Sequence, residues 1–230
     1  MEATGALAET WQALAEVCRE LSASEWGLAT ECPGWDVKDQ LSHLIGIERS
    51  LLGEPVPEWD GPPGAHVKND VGAVNERWVA VRRSLTGAAV LAEFVEVTRT
   101  RLAQLAARRE EEWAALGWSP VGDVPYAVFM EVRAFDSWVH EQDARRALDR
   151  PGGTGNRASA LSLGRVQGAM PFVVGKKAGC ADGTAVRFDI SGPGDDARAT
   201  AAQVESAGGL AVTGDAAAGR RVLGAMNFMF

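Results

Sequence analysis

FMEVRAFDSWVHEQDARRAL, residues 129–148, contains neither glycine nor proline and decides the fold. Such a run reads as one long helix. Advancing about 100° per residue from Phe129 brings Val132, Asp136, Val139, His140, Asp143 and Ala147 onto one broad stripe, the stripe that should face a core. Asp136 and His140 are four residues apart, so their side chains project from one face about one turn apart, a spacing suited to metal ligation. A carboxylate on a buried face costs several kcal/mol unless something compensates it, and a divalent cation is the strongest partner available. An isolated D-x-x-x-H also serves as a structural hydrogen bond or a surface pair, and the segment alone leaves these readings open. His43, on the flank of another helical stripe, offers the third group a metal site needs; by itself it also reads as a core histidine.

Outward from this segment, helical patterns recur. Leu7, Trp11, Leu14, Cys18 and Leu21 alternate at four- and three-residue steps, which predicts an amphipathic helix over about 4–21 with Thr4 as its cap. After Pro33-Gly34, Asp36 is placed to cap DVKDQLSHLIGIERSLL, whose stripe runs through Val37, Leu41, Leu44, Ile45, Leu51 and Leu52. GEPVPEWDGPPGA, residues 53–65, is a loop suited to overhang a pocket mouth, and His66 beside it is expected to be exposed. Helical pattern resumes in VGAVNERWVAVRRSL and in AAVLAEFVEVTRTRLAQLAARREEEW, the charged end of which reads as a solvated face. A short loop, GWSPVGDVPYA, leads into the Asp136/His140 helix. A bundle of long helices follows.

Composition changes at ALDRPGGTGN, residues 147–156, where proline and glycine cluster like a linker. Two domains are expected, 1–150 and 151–230. In the second, 158–175 has helical character, TAVRFDI and GGLAVTG are strand candidates, and the chain returns to helix from Ala216, giving a small α+β unit. GKKAG at Gly175 lacks the leading glycine and the Ser/Thr of a phosphate loop.

A net charge of −8 over 230 residues argues against general affinity for nucleic acid or anionic membrane, so small molecules are the expected partners. The N-terminus shows no secretory pattern and no segment approaches a membrane span, which gives a cytoplasmic expectation. Cys18, Cys32 and Cys180 have no CxxC spacing and suggest neither a disulfide framework nor a cysteine zinc site. No GxSxG setting supports a serine nucleophile. Two imidazoles and one carboxylate would leave a cation an open position, the catalytic arrangement, and suit zinc, iron, nickel or manganese.

Four segments, CPGWDVKDQLSHLIGIE, FDSWVHEQDARRALDRPG, VVGKKAGCADGT and VTGDAAAGRRVLGAMNFM, give the chain a likeness to a family. It resembles the mycothiol-dependent maleylpyruvate isomerases. The resemblance implies an α+β protein: an N-terminal DinB-like four-helix bundle, then a small sterol-carrier-like α/β domain, here abbreviated. It implies that His43, Asp136 and His140 hold a divalent metal, zinc above all, and that Asn75 and Arg82 lie near the pocket, with Arg82 suited to grip a substrate carboxylate. Asp136 stands where the isomerase has glutamate, one methylene longer. The implied activity uses mycothiol, activated at the metal, on a small electrophile, as an S-transferase or a cis-trans isomerase, in a monomer or homodimer. A non-catalytic ligand-binding module and a metal-dependent hydrolase are the alternatives.

Overall fold

The computed structural model describes residues 2–181, 183, 186–188 and 216–225. Among these the protein is mostly helical with one small antiparallel sheet, and it divides into two compact units, Met1–Gly153 and Thr154–Phe230. No helix among the described residues is long and apolar enough to cross a membrane.

The first unit is built from helices whose apolar spacing matches their burial. Helix α1 (Glu2–Cys18) buries Leu7, Trp11, Leu14 and Cys18. It starts at Glu2, so Thr4 lies inside the first turn and is not its cap. A short α2 (Ala23–Trp26) follows, capped by Ser22 and Glu25 in a reciprocal box that the hydrophobic pattern does not announce. Asp36 caps α3 (Val37–Leu51), accepting the Asp39 N–H at 2.8 Å. Asn69 and Thr86 do the same for α4 (Asp70–Ala80) and α5 (Gly87–Ala106). Helix α3 is the pivot of the unit: it packs on α4, α5 and α7 (Tyr126–Ala147), while α1 packs on α5 and α7. Gly46 permits the close approach of α4, because a Cβ there would lie 2.3 Å from Trp78 Cβ.

Two further expectations about its elements need correction. The helix expected to run through to Trp113 stops at Ala106 and restarts as α6 (Glu110–Ala114), which turns buried Trp113 onto the Tyr126 ring, 5.7 Å between centroids. The loop before α7 contains a hairpin: β1 (Leu116–Gly117) pairs with β2 (Val124–Pro125), Leu116 opposite Pro125.

Helix α7 differs from the others. Met130, Ala134, Trp138 and Ala144 are buried, but so are Arg133, Ser137, His140, Glu141, Gln142 and Asp143. Its polar groups are held internally: Trp11 donates to Ser137 Oγ at 3.1 Å, and Arg145 binds Glu141 at 2.7 Å. The proline-glycine turn that follows is pinned back onto the helix by Trp138 and Gln142, which donate to the carbonyls of Gly153 and Gly152.

In the second unit, α8 (Arg157–Phe172) is capped by Asn156 and contains Pro171. Beyond this missing N–H the helix loosens into a π turn, Val173–Lys177, which holds the Gly-Lys-Lys sequence. Val173, Ala178 and Val222, the last from a helix over Ala216–Gly224, form its small apolar centre with Met170, Cys180 and Phe188 alongside. Val186–Phe188 carry no strand; the rest of that candidate, Thr184, Ala185, Asp189 and Ile190, and all of GGLAVTG lie outside the described residues.

Candidate metal centre

Helix α3 supplies His43 and α7 supplies Asp136 and His140, and the three meet inside the first unit. Their candidate ligand atoms all lie within 4.8 Å of one another. His43 Nε2 is 3.6 Å from Asp136 Oδ2, His140 Nε2 is 3.6 Å from Asp136 Oδ1, and the two imidazole centroids are 4.6 Å apart. These separations exceed hydrogen-bonding range. Both ring nitrogens of His43 and Nε2 of His140 are buried without a hydrogen-bond partner. Orphaned buried nitrogens are costly, and two of them facing a carboxylate are the donor set a divalent cation requires. The residues therefore fit a metal ion. The carboxylate is the outward side of the cluster, 20% exposed against 4% and 1% for the histidine side chains.

Neutral groups orient His140. Thr30 Oγ1 donates to the Trp35 carbonyl at 3.0 Å and so accepts from Gln40 Nε2 at 2.6 Å. Gln40 must then present its carbonyl oxygen to His140 Nδ1, which fixes the proton on Nδ1 and leaves Nε2 to face the cluster. Asp143 Oδ2, 3.9 Å from the same Nδ1, accepts the Cys32 S–H at 3.4 Å.

Charged groups orient Asp136. Arg133 Nη1 donates to Asp136 Oδ2 at 2.5 Å, while its Nε and Nη2 hold Glu48 Oε1 at 3.0 and 2.7 Å. The other Glu48 oxygen accepts from Arg101 Nε at 3.0 Å, and Arg101 continues to the Tyr126 hydroxyl and Gln104. This floor of alternating charge is almost wholly buried. Burial alone would raise the Asp136 pKa, but Arg133 and then His140 outweigh it and hold the carboxyl well below its usual range. Burial, reinforced by the neighbouring His140, pulls His43 down to about 4; burial pulls on His140 as well, yet the Asp136 carboxylate overrides it and raises His140 to about 10. A cation held by these residues would have to displace a proton from such a histidine.

The rim of the site was not legible in the sequence. Trp35 packs its ring against His43 at 4.9 Å and His140 at 6.1 Å, and donates from Nε1 to buried Glu76 at 3.1 Å. Glu76 also binds His66 Nε2 at 3.0 Å and Arg83 at 2.7 Å. His66 is thus not the exposed loop residue its Pro/Gly surroundings suggest; its side chain is 18% exposed and docks at Trp35. Gly34 makes room for it, with φ +82° and a position where any Cβ would strike the imidazole. Trp35 follows Pro33-Gly34 directly, so a turn that throws an aromatic ring over α3 was the available signal.

Arg82 and Asn75 are not brought to the triad. Arg82 spends its donors on Glu93 and the Trp78 carbonyl, between α4 and α5. Asn75 is half-buried on α4 beside Glu76.

Fold and site together define a class: a helical domain with two histidines and one carboxylate converging in its interior from two helices. Residues 7–145 match the mycothiol maleylpyruvate isomerase N-terminal domain, and the chain belongs to that family. Two solved structures share its fold. The crystal structure of the mycothiol-dependent maleylpyruvate isomerase aligns with a TM-score of 0.54 at 14% identity, and a mutant of it with one histidine changed to alanine aligns with 0.52 at 15%. Each alignment covers 79% of this chain and 73% of the other. No curated protein matches the chain.

Proposed function

We propose that the protein is a metal- and thiol-dependent enzyme in which His43, Asp136 and His140 hold a divalent cation, zinc by preference, and mycothiol attacks a small electrophile as in an isomerase or S-transferase. The observation that carries this reading is the pair of buried imidazoles whose Nε2 atoms have no hydrogen-bond partner and face one carboxylate. When bound, such a cation lowers the pKa of a thiol that reaches its open position, so that the nucleophilic thiolate predominates near neutral pH. The protein's own residues do the rest. Gln40 holds the His140 tautomer, Arg133 holds Asp136, and Trp35 walls the imidazoles off from water. Family membership supports the thiol, and the dependence named for the related isomerase supports mycothiol in particular.

In the same reading, α1, α3, α5 and α7 are a DinB-like four-helix bundle and the second unit is an abbreviated sterol-carrier-like domain. The aligned 79% of the chain is more than the first unit alone could supply, which supports a shared second domain. Arg82 remains the proposed grip for a substrate carboxylate, on condition that it releases Glu93.

Zinc content of the purified protein and consumption of maleylpyruvate with and without mycothiol test the proposal. Saturating zinc at about 100 times its dissociation constant should stabilise the wild type by about 2.7 kcal/mol. His43→Ala and His140→Ala should lose this stabilisation and the thiol-dependent turnover while keeping their helical content. Full turnover in either variant contradicts the proposal, and turnover with water alone points to hydrolysis.

A further inference from the structure

Building on the metal reading above, we propose that Arg133 is the positioning residue of the metal centre, a clamp that fixes which way Asp136 faces and how much negative charge it offers the cation. Asp136 is the one triad member with substantial exposure, and its short side chain has rotamers that point elsewhere. Arg133 removes that freedom. Its guanidinium binds Asp136 Oδ2 on one edge and Glu48 Oε1 through two donors on another, so a planar fork ties the α7 ligand to the neighbouring helix α3, which also bears His43. Glu48 is itself held from behind by Arg101 of α5. Three helices thus meet in one ladder, Asp136–Arg133–Glu48–Arg101, in which every charge has an opposite neighbour.

The clamp has an electronic consequence as well. A carboxylate already hydrogen-bonded to a guanidinium donates less charge to a metal, which leaves the cation a stronger acid toward a thiol. His140 is treated differently, since its support is the neutral amide of Gln40. The two helix-α7 ligands are therefore tuned by different means, one toward weaker donation and one toward a fixed tautomer.

The test uses Arg133→Lys, which keeps the charge but cannot reach both carboxylates through a fork, and the double variant Glu48→Gln/Arg133→Met, which removes one charge of each sign and so keeps the interior balanced. Zinc affinity is measured by competition with a chromophoric chelator, and the cobalt-loaded proteins are compared by their visible d–d spectra. Both variants should keep wild-type helicity and show shifted cobalt bands, and Arg133→Lys, which leaves the charge beside Asp136 in place and removes only the fork, should bind zinc about tenfold to a hundredfold more weakly. Folded variants with unchanged zinc affinity and unchanged bands overturn the clamp while leaving the metal site standing. If neither variant folds, Arg133 is a structural residue and the clamp is equally overturned. If the wild type binds neither zinc nor cobalt, it is the metal reading that has failed.

Discussion

The floor and the rim of the site are both built from buried charge, and they are built differently. In the floor, Asp136, Arg133, Glu48 and Arg101 alternate in sign, and the two arginines and Glu48 have side chains no more than 3% exposed. In the rim, Glu76 and Asp39 depend on Arg83, a side chain 39% exposed, and Asp39 Oδ1 is buried with no partner. The floor is closed and over-determined, which suits a group that must hold a ligand in one orientation. The rim leans on an exposed arginine and is under-compensated at Asp39, which suits a wall that carries a loop.

The largest effect should come from breaking the floor. Glu48→Ala leaves Arg101 and Arg133 facing one another without the carboxylate between them, and removal of one partner from a buried pair costs about 3–5 kcal/mol. Urea unfolding of the two proteins at neutral pH measures it. A loss below about 1 kcal/mol would mean that water reaches the floor and that the contrast with the rim is false.

The rim should respond to pH instead. Burial, with Asp36 adding to it, raises the Asp39 pKa from 3.8 to about 6, and Arg83, at 3.4 Å, offsets this only in part. Because the folded protein binds this proton more tightly than the unfolded chain, the group's contribution to stability falls as pH rises from about 4 through 6 and is flat above. A raise of that size corresponds to about 3 kcal/mol, an upper bound. Asp39→Asn removes the titration, so the variant should gain on the wild type between pH 4.5 and 7, as paired urea titrations would show. A constant difference across that range would place the Asp39 carboxylate in water.

The same contrast explains what could be read from the sequence. Asp136 and His140 were legible because their juxtaposition depends only on the local turn of one helix, and His43 because a resemblance supplied the partner helix. Glu48, Arg101 and Arg133 were not, since charged residues on helices ordinarily read as solvated faces and their partners lie 53 and 85 residues away. The wrong placement of His66 has the mirror-image cause. Pro/Gly composition marks a loop correctly but says nothing about where the loop docks, which here is decided by a buried glutamate on α4 and the space left at Gly34. Arg82 was legible as a basic residue of the VGAVNERWVAVRRSL pattern, but not as one that lies past the end of α4 with its fork taken up by Glu93.

The smallest expected effect is the sharpest test of how independent the two regions are. Burial would raise the Glu76 pKa, but hydrogen bonds from His66, Trp35 and Arg83 hold it below its usual value, so Glu76 keeps two of its three partners when His66 is removed. His66→Ala should therefore cost only about 1 kcal/mol of global stability, near the value of a single hydrogen bond. Its effect should appear locally, as faster amide exchange and faster proteolysis across residues 53–69, because this bond ties the loop to α4. Zinc affinity should stay within about threefold of wild type, since Gln40 and Arg133, not the loop, orient the ligands. A large loss of zinc affinity in His66→Ala would join rim to floor through Trp35, whose ring, alone among the described residues, contacts all three histidines of the chain.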